Sequence, residues 1–138
     1  MAGQAQAAGN RFYGVAPYFL VQDVVATASF YQDKLGFRCS RFFGEPPQFT
    51  IATRDGVSIM LKQTYGTTTM NPNSANDPED DFWDAYIWVE NADALHEEFQ
   101  SKGVLIVRPI CDQEYGCREF TIRDMNGYII GIGQDLSS

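Results

Sequence analysis

Apolar and polar residues alternate along the first structured stretch of the chain, as they do in a strand with one buried face. The apolar parity consists of Val15, Pro17, Phe19 and Val21. Asp23 then occupies the N-cap position of a helix, in which apolar residues recur at helical spacing as far as Leu35. Gly36 is a typical stop signal, because glycine readily adopts the left-handed conformation that ends many helices. This pattern predicts a strand followed by a helix.

Three further strands are predicted after this helix. They cover residues 37–43, 49–53 and 57–62, and turn-forming residues separate them. Asp55-Gly56 between two apolar stretches is a strong signal for a two-residue hairpin. The first half of the chain is therefore predicted to have the order β-α-β-β-β.

The second half of the chain repeats this order. A strand is predicted over 85–89, a helix follows, and the last three strands are predicted over 105–111, 118–123 and 128–134. Equivalent landmarks lie 67 to 71 residues apart, namely Val21 and Val89, Gly36 and Gly103, and Gly56 and Gly127. This constancy indicates an internal repeat of about 70 residues, in which each unit needs the other to cover its apolar face.

A chain of 138 residues has the length of one domain. Residues 1–12 are mostly small and polar without periodicity, and we predict a disordered lead-in there. The domain is predicted over 13–138, with one unit at 13–63, the other at 82–135, and a connecting loop at 64–81. Such a long loop is typical of either a functional or a disordered segment.

Charge and composition argue against several classes of protein. Ten basic and eighteen acidic residues give a net charge of −8, which disfavours nucleic acid as a partner and favours a neutral or cationic small molecule. We identify neither a membrane-spanning stretch nor a signal peptide, so we predict a cytoplasmic protein whose three cysteines are thiols. The single histidine, His96, is predicted to be exposed on the second helix, and it excludes a multi-histidine metal centre within one chain.

Two pairs of motifs carry a resemblance to a known family. They are FLVQD at 19–23 with SFYQDKLGF at 29–37, and YGCREF at 115–120 with RDMNGY at 123–128. They resemble the opening and closing signatures of the glyoxalase/bleomycin resistance/dioxygenase superfamily, also called the vicinal oxygen chelate fold, although proline is usual in place of Met125. The resemblance implies an α+β fold of two tandem βαβββ modules that form a curved mixed sheet, or cup, usually in a homodimer.

The resemblance also implies four metal-ligand positions, on the first and last strands of each module, where the family usually has His, Gln or Glu. The matching positions in this chain are Ala16, Met60, Asp84 and Gly131. Alanine and glycine have no side-chain ligand atom, and a thioether is a poor ligand for Mg²⁺, Mn²⁺ or Zn²⁺. We therefore expect no metal ion, no other cofactor and none of the usual catalytic residues.

Side-chain alternation predicts which residues line the cup. The aliphatic parity should face the helices, and the opposite parity should face the cup: Ala16, Tyr18, Leu20, Gln48, Thr50, Ser58, Met60, Lys62, Asp84, Tyr86, Trp88, Glu119, Thr121, Ile129, Gly131 and Gly133. From this set we predict a ligand-binding site of Tyr18, Met60, Lys62, Asp84, Tyr86, Trp88 and Glu119. Aromatic side chains with a few polar groups suit a small organic ligand, and aromatic faces attract cations.

Each of these assignments has an alternative. Tyr86 and Trp88 could pack against other side chains of the protein or contact a second copy of the chain. Asp84 could pair with Lys62 instead of contacting a ligand. The acidic run Asp77, Glu79, Asp80, Asp81 and Asp84 is either a solvated loop or a rim that attracts cations.

The leading hypothesis is a metal-free protein that sequesters a cationic or aromatic, antibiotic-like molecule, since the bleomycin-binding members of the superfamily resemble this chain in lacking a metal. The alternative is a metal-dependent lyase or dioxygenase of the same superfamily. The predicted partners are a small organic ligand and a second copy of the chain, with no nucleic acid and no membrane.

Overall fold

The computed structural model describes residues 9–66, 69–77, 79 and 82–137. Its strands are β1 (Tyr18–Val21), β2 (Phe42–Phe43), β3 (Phe49–Arg54), β4 (Val57–Gln63), β5 (Ala85–Trp88), β6 (Leu105–Asp112), β7 (Cys117–Arg123) and β8 (Ile129–Asp135). Its helices are α1 (Val24–Leu35) and α2 (Ala92–Ser101), and a short 3₁₀ helix covers Asn73–Asn76. This order confirms the predicted β-α-β-β-β repeat.

Each repeat forms a mixed four-stranded sheet within the described residues. The strand orders are β1-β4-β3-β2 and β5-β8-β7-β6. In both sheets the first and last strands of the repeat are parallel, and the other neighbours are antiparallel. The α+β class and the paired βαβββ architecture are therefore confirmed.

Both helices begin in the same way. The N-cap predicted at Asp23 is present, and Asn91 is the N-cap of α2. A glutamine from the last strand of each repeat provides a further acceptor for an amide at the helix start. Gln63 Oε1 accepts from the Val24 amide, and Gln134 Oε1 accepts from the Ala92 amide, both at 2.9 Å. The repeat therefore extends to individual hydrogen bonds.

One core lies between the two sheets. Apolar side chains from the helix sides of both sheets form a single buried cluster, which includes Leu61, Phe120 and Ile132. Helix α1 contacts β3 and β4, whereas the Phe19 ring on β1 stacks on Tyr128 of the second repeat, with ring centroids 4.1 Å apart. The helix sides of the sheets thus face a shared core, and their other faces, which we call the outward faces, point away from it.

Two polar contacts at equivalent positions of the repeat join the units. The Tyr31 hydroxyl donates to Asp124 Oδ2 at 2.6 Å, and the Arg54 guanidinium donates to both Glu98 oxygens at 2.9 and 3.1 Å. Burial raises the pKa of Asp124, whereas the hydrogen bond from Arg54 lowers the pKa of Glu98. Each helix is therefore tied to the β-hairpin of the other repeat.

The predicted strand over 37–43 is wrong for most of its length. Only Phe42–Phe43 pairs as β2, with one isolated bridge from Arg38 to β3. The Gln32 side chain accepts the hydrogen bond of the Cys39 amide at 3.0 Å, so this amide is not available to a neighbouring strand.

The connecting loop is anchored to the second repeat in its described part. The Ser74 hydroxyl donates to the Gly127 carbonyl at 2.8 Å, and the Asn73 amide donates to Asp84 Oδ1 at 2.7 Å. The residues of the predicted lead-in and loop that lie outside the described part of the chain are 1–8, 67, 68, 78, 80 and 81.

No helix in the described part of the chain has both the length and the apolarity that crossing a membrane requires. The domain bounds and the cytoplasmic location stay predictions.

Candidate functional site

The outward face of the second sheet is built around a buried carboxylate. Glu119 on β7 is only 6% exposed, and its two oxygens accept hydrogen bonds from the hydroxyls of Tyr86 at 2.8 Å and Tyr115 at 2.7 Å. These bonds stabilise a charge whose burial would otherwise be costly. The pKa of each tyrosine is raised, first by reduced hydration and then by the hydrogen bond to Glu119. Both hydroxyls therefore remain donors at neutral pH.

Two glycines on β8 make room for the Tyr86 ring. Gly131 lies opposite Tyr86, and Gly133 lies between Trp88 and Glu119 in the sheet. A Cβ atom at Gly131 would come within 2.7 Å of Tyr86 Cδ2, and one at Gly133 would overlap the Tyr86 hydroxyl. The absence of side chains on β8 thus lets Tyr86 lie against the sheet and reach Glu119.

Tryptophans flank this tyrosine on both sides. The Trp83 and Trp88 rings meet the Tyr86 ring edge-on, with centroids 4.6 and 4.9 Å away. Trp83 Nε1 donates to the Thr121 hydroxyl at 3.3 Å, while Trp88 is 60% exposed. The result is a partly open aromatic surface around one carboxylate. A cleft of about 130 Å³ reaches Glu119 from the side of β6.

The outward face of the first sheet holds three of the predicted site residues. Tyr18 on β1 lies opposite Met60 on β4, and its ring centroid is 6.2 Å from that of Phe49. The Lys62 ammonium lies 4.1 Å from the centroid of the Tyr65 ring, as in a cation–π contact. Apolar side chains predominate on this face, and Lys62 adds a positive charge.

The predicted site residues are therefore divided between two faces. Tyr86, Trp88 and Glu119 are brought together on the second sheet, and Tyr18, Met60 and Lys62 lie on the first sheet. Since the shared core lies between the sheets, a single chain does not place both groups around one ligand. Their membership of one site stays a proposal.

The hydrogen bonds of Asp84 differ from the predicted pair with Lys62. Its Oδ1 accepts from the Asn73 amide at 2.7 Å, and its Oδ2 accepts from the Ile129 amide at 2.8 Å. It forms no ion pair with Lys62, whose ammonium donates to the Gln63 carbonyl at 3.3 Å. Asp84 holds the loop against the start of β8, and we leave it out of the proposed site.

The predicted orientation of Thr50 is wrong. Thr50 pairs with Leu61 on the core side, is fully buried, and donates its hydroxyl to the Arg41 carbonyl at 2.6 Å. Gln48 has the same parity. The outward residues of β3 are instead Phe49 and Ile51, opposite Lys62 and Met60.

His96 is also placed differently from the prediction. It is half-buried, and its ring packs edge-on against Phe120 at a centroid distance of 5.1 Å. The side of α2 that carries His96 therefore faces β7 instead of solvent.

The donor set does not fit the metal centre that the resemblance implies. Of the four matching positions, Ala16 and Gly131 have no side-chain donor, Met60 has a thioether, and Asp84 uses both oxygens on backbone amides. In the described part of the chain, no group of three or more His, Cys, Asp or Glu side chains could hold a metal ion.

Comparisons with known proteins agree on the fold. The bleomycin-binding protein from Streptomyces verticillus, solved with copper(II)-bleomycin, is 26% identical over 93% of this chain and 98% of its own, with a TM-score of 0.63. TioX from Micromonospora sp. ML1 is 17% identical over 91% of this chain and 100% of its own, with a TM-score of 0.70. A glyoxalase-related enzyme from Clostridium phytofermentans is 16% identical over 94% of this chain and 99% of its own, also with a TM-score of 0.70.

Comparison with curated protein sequences gives no match. A family model, in contrast, matches residues 15–132, which is most of the chain. The chain therefore belongs to the Glyoxalase/Bleomycin resistance protein/Dioxygenase superfamily.

Proposed function

We propose that the protein binds a small cationic or aromatic molecule without a metal ion, at a site that forms when the outward faces of two copies meet. The observation that carries this proposal is Glu119, a buried carboxylate held by two tyrosine hydroxyls within an aromatic surface. Such a group attracts an ammonium or guanidinium group, and the flanking rings add cation–π attraction of about 0.5–2 kcal/mol per contact.

Net charge supports a cationic ligand. The chain carries −8, so its field favours the approach of positive molecules. The relative from S. verticillus was solved with copper(II)-bleomycin, which makes bleomycin a suitable first probe.

Exposed apolar residues support a second copy as the other half of the site. On the first sheet Tyr18 is 56% and Ile51 36% exposed, and on the second sheet Trp88 is 60% exposed. Large exposed apolar surfaces mark interaction sites in many proteins. A homodimer that joins the first sheet of one copy to the second sheet of the other would enclose both groups of site residues.

The donor chemistry supports binding without a metal. The matching ligand positions hold Ala16, Met60, Asp84 and Gly131, and none offers a free hard or imidazole donor. Elemental analysis of protein purified without a chelator tests this part, and one tightly held divalent ion per chain would favour the alternative of a metal-dependent enzyme.

A thermal-shift panel tests the binding. Bleomycin and cationic aromatic compounds should raise the melting temperature, whereas neutral analogues should raise it less. Trp88→Ala and Glu119→Gln should reduce the shift, and Glu97→Gln, which removes an exposed charge on α2, should leave it unchanged. If no compound shifts the melting temperature of the folded wild type, the proposal is wrong.

A further inference from the structure

Two pairs of equivalent positions in the repeat are filled very differently. Phe19 is equivalent to Ile87, since each pairs in its sheet with an equivalent residue of the last strand. Tyr128 is equivalent to Val57, since each follows the glycine of its hairpin turn. At one end of the molecule Phe19 and Tyr128 stack with their rings nearly parallel, at an interplanar angle of 4°. At the equivalent place on the other side of the molecule lie the aliphatic side chains of Val57 and Ile87.

A cleft occupies the space that the second aromatic stack would fill. It measures about 620 Å³, and Val57 and Ile87 line it together with Phe37, Phe99 and Ile132. This volume is within the range of small-ligand pockets, which is about 300–1,000 Å³. The cleft opens on the core side of the sheets and includes none of the outward residues except Trp88 at its edge. It is therefore distinct from the site around Glu119.

The rim of the cleft is acidic. Asp55 and Glu90 line it and are exposed, and the Asp55 side chain is 90% accessible. Arg54 also lines the cleft, but its guanidinium is held by both oxygens of Glu98 and by the Leu35 carbonyl at 2.8 Å. The Arg54 Nε atom also lies 3.7 Å from Asp55 Oδ2. Since Asp55 and Glu90 are two acids and Arg54 is one cation, the charged residues that line the cleft carry a net negative charge.

We propose that this cleft is a second binding site, which takes one flat aromatic molecule bearing an amino group. The ring of this molecule lies beside Val57 and Ile87, in the space equivalent to the one that Phe19 and Tyr128 fill on the other side of the molecule. Its ammonium lies at the rim near Asp55 and Glu90. This inference does not depend on the proposed function of the outward faces, because Val57, Ile87, Asp55 and Glu90 are not part of that proposed site.

Isothermal titration with three related probes tests the chemistry. Tryptamine supplies the ring with an ammonium, indole supplies the ring alone, and indole-3-acetate reverses the charge. We expect saturable binding of tryptamine, weaker binding of indole and the weakest binding of indole-3-acetate. Absence of saturable tryptamine binding to the folded protein would overturn the proposal.

A variant that rebuilds the aromatic stack tests the location. Val57→Tyr with Ile87→Phe should raise the melting temperature of the free protein, as cavity-filling substitutions commonly do. It should also weaken tryptamine binding about tenfold or more, because the new rings take the same space. Val25→Tyr is the matched control, since Val25 is 47% exposed on α1 and does not line the cleft. Unchanged tryptamine affinity in the filled variant would contradict the location.

A charge variant covers the case in which the filled variant does not fold. Asp55→Asn with Glu90→Gln should weaken tryptamine about threefold to tenfold, as expected for exposed ion pairs, and should leave indole unchanged. Glu97→Gln, which removes an exposed charge on α2 outside the cleft lining, should leave both affinities unchanged. Loss of tryptamine binding in Glu119→Gln, with no loss in the rim variant, would assign the ligand to the outward face and reject the cleft.

Discussion

At the scale of single residues, Gly133 tests whether the tyrosine and carboxylate on the second sheet act together. A Cβ atom there would overlap the Tyr86 hydroxyl and lie 2.5 Å from its Cζ atom. We expect Gly133→Ala to reduce the free energy of unfolding by about 1–3 kcal/mol, as overpacking usually does. Urea unfolding measures this change.

Gly14→Ala is the control for this substitution. A Cβ atom at Gly14 would meet nothing within 4 Å, so its unfolding midpoint should match that of the wild type. Equal midpoints for both variants would mean that the Tyr86 ring moves aside at no cost.

Alternation along the strands predicts Glu119 and Tyr86 from sequence but does not reach their neighbours. Trp83 and Tyr115 lie outside the strands, where parity has no meaning, and only the structure shows their rings beside the carboxylate.

The sequence does contain a signal for the side of the sheet on which Thr50 lies. A two-residue turn at Asp55-Gly56 pairs Arg54 with Val57, and counting back from that pair places Thr50 opposite Leu61 on the core side.

At the scale of elements, the ion pair between Arg54 and Glu98 links the β3–β4 hairpin to α2. Glu98→Gln should cost about 1 kcal/mol near pH 7, because two charge-assisted hydrogen bonds lose their charge in a partly exposed setting. Arg54 lowers the pKa of Glu98 below its ordinary value of 4.5. The folded state therefore binds fewer protons than the unfolded state.

The difference between Glu98→Gln and the wild type should thus depend on pH. It should be fully present above pH 4.5 and disappear as the pH falls through the lowered pKa of Glu98. Denaturant unfolding at several pH values measures it, and Glu97→Gln on the exposed side of α2 serves as control. A cost that stays constant down to the acid limit would show that charge plays no part.

Local patterns predict the elements well because caps, turns and alternation are local in the chain. The order of the strands and helices along the chain, the start of α1 and the repeat follow from them. The contact between Tyr31 and Asp124 spans 93 residues, and no local pattern indicates which faces the two sheets turn toward each other. For this reason the cup, predicted as one surface, consists of two outward faces in a single chain.

At the scale of the whole molecule, the proposed dimer depends on exposed apolar residues of the outward faces. Ile51→Glu should convert the dimer to a monomer, because it places a charge in the centre of the first outward face. Val25→Glu makes the same change on the exposed side of α1 and should leave the dimer intact. Sedimentation velocity over a range of concentrations measures both, and a wild type that is monomeric throughout would contradict the dimer.

A site shared between two copies has a further consequence that a site within one chain cannot have. Tyr18→Ala damages the first-sheet half of the site, and Trp88→Ala damages the second-sheet half. Each variant alone should lose affinity for bleomycin at both sites of its homodimer. In a mixed dimer, one site combines both damaged halves, and the other combines two intact halves.

Unfolding and refolding an equal mixture should therefore restore wild-type affinity at about a quarter of all sites, since about half of the dimers are mixed and each has one intact site. Titration of the mixture against the separate variants measures this recovery. If the refolded mixture contains mixed dimers and still shows no high-affinity sites, then Tyr18 and Trp88 do not serve the same ligand across the interface.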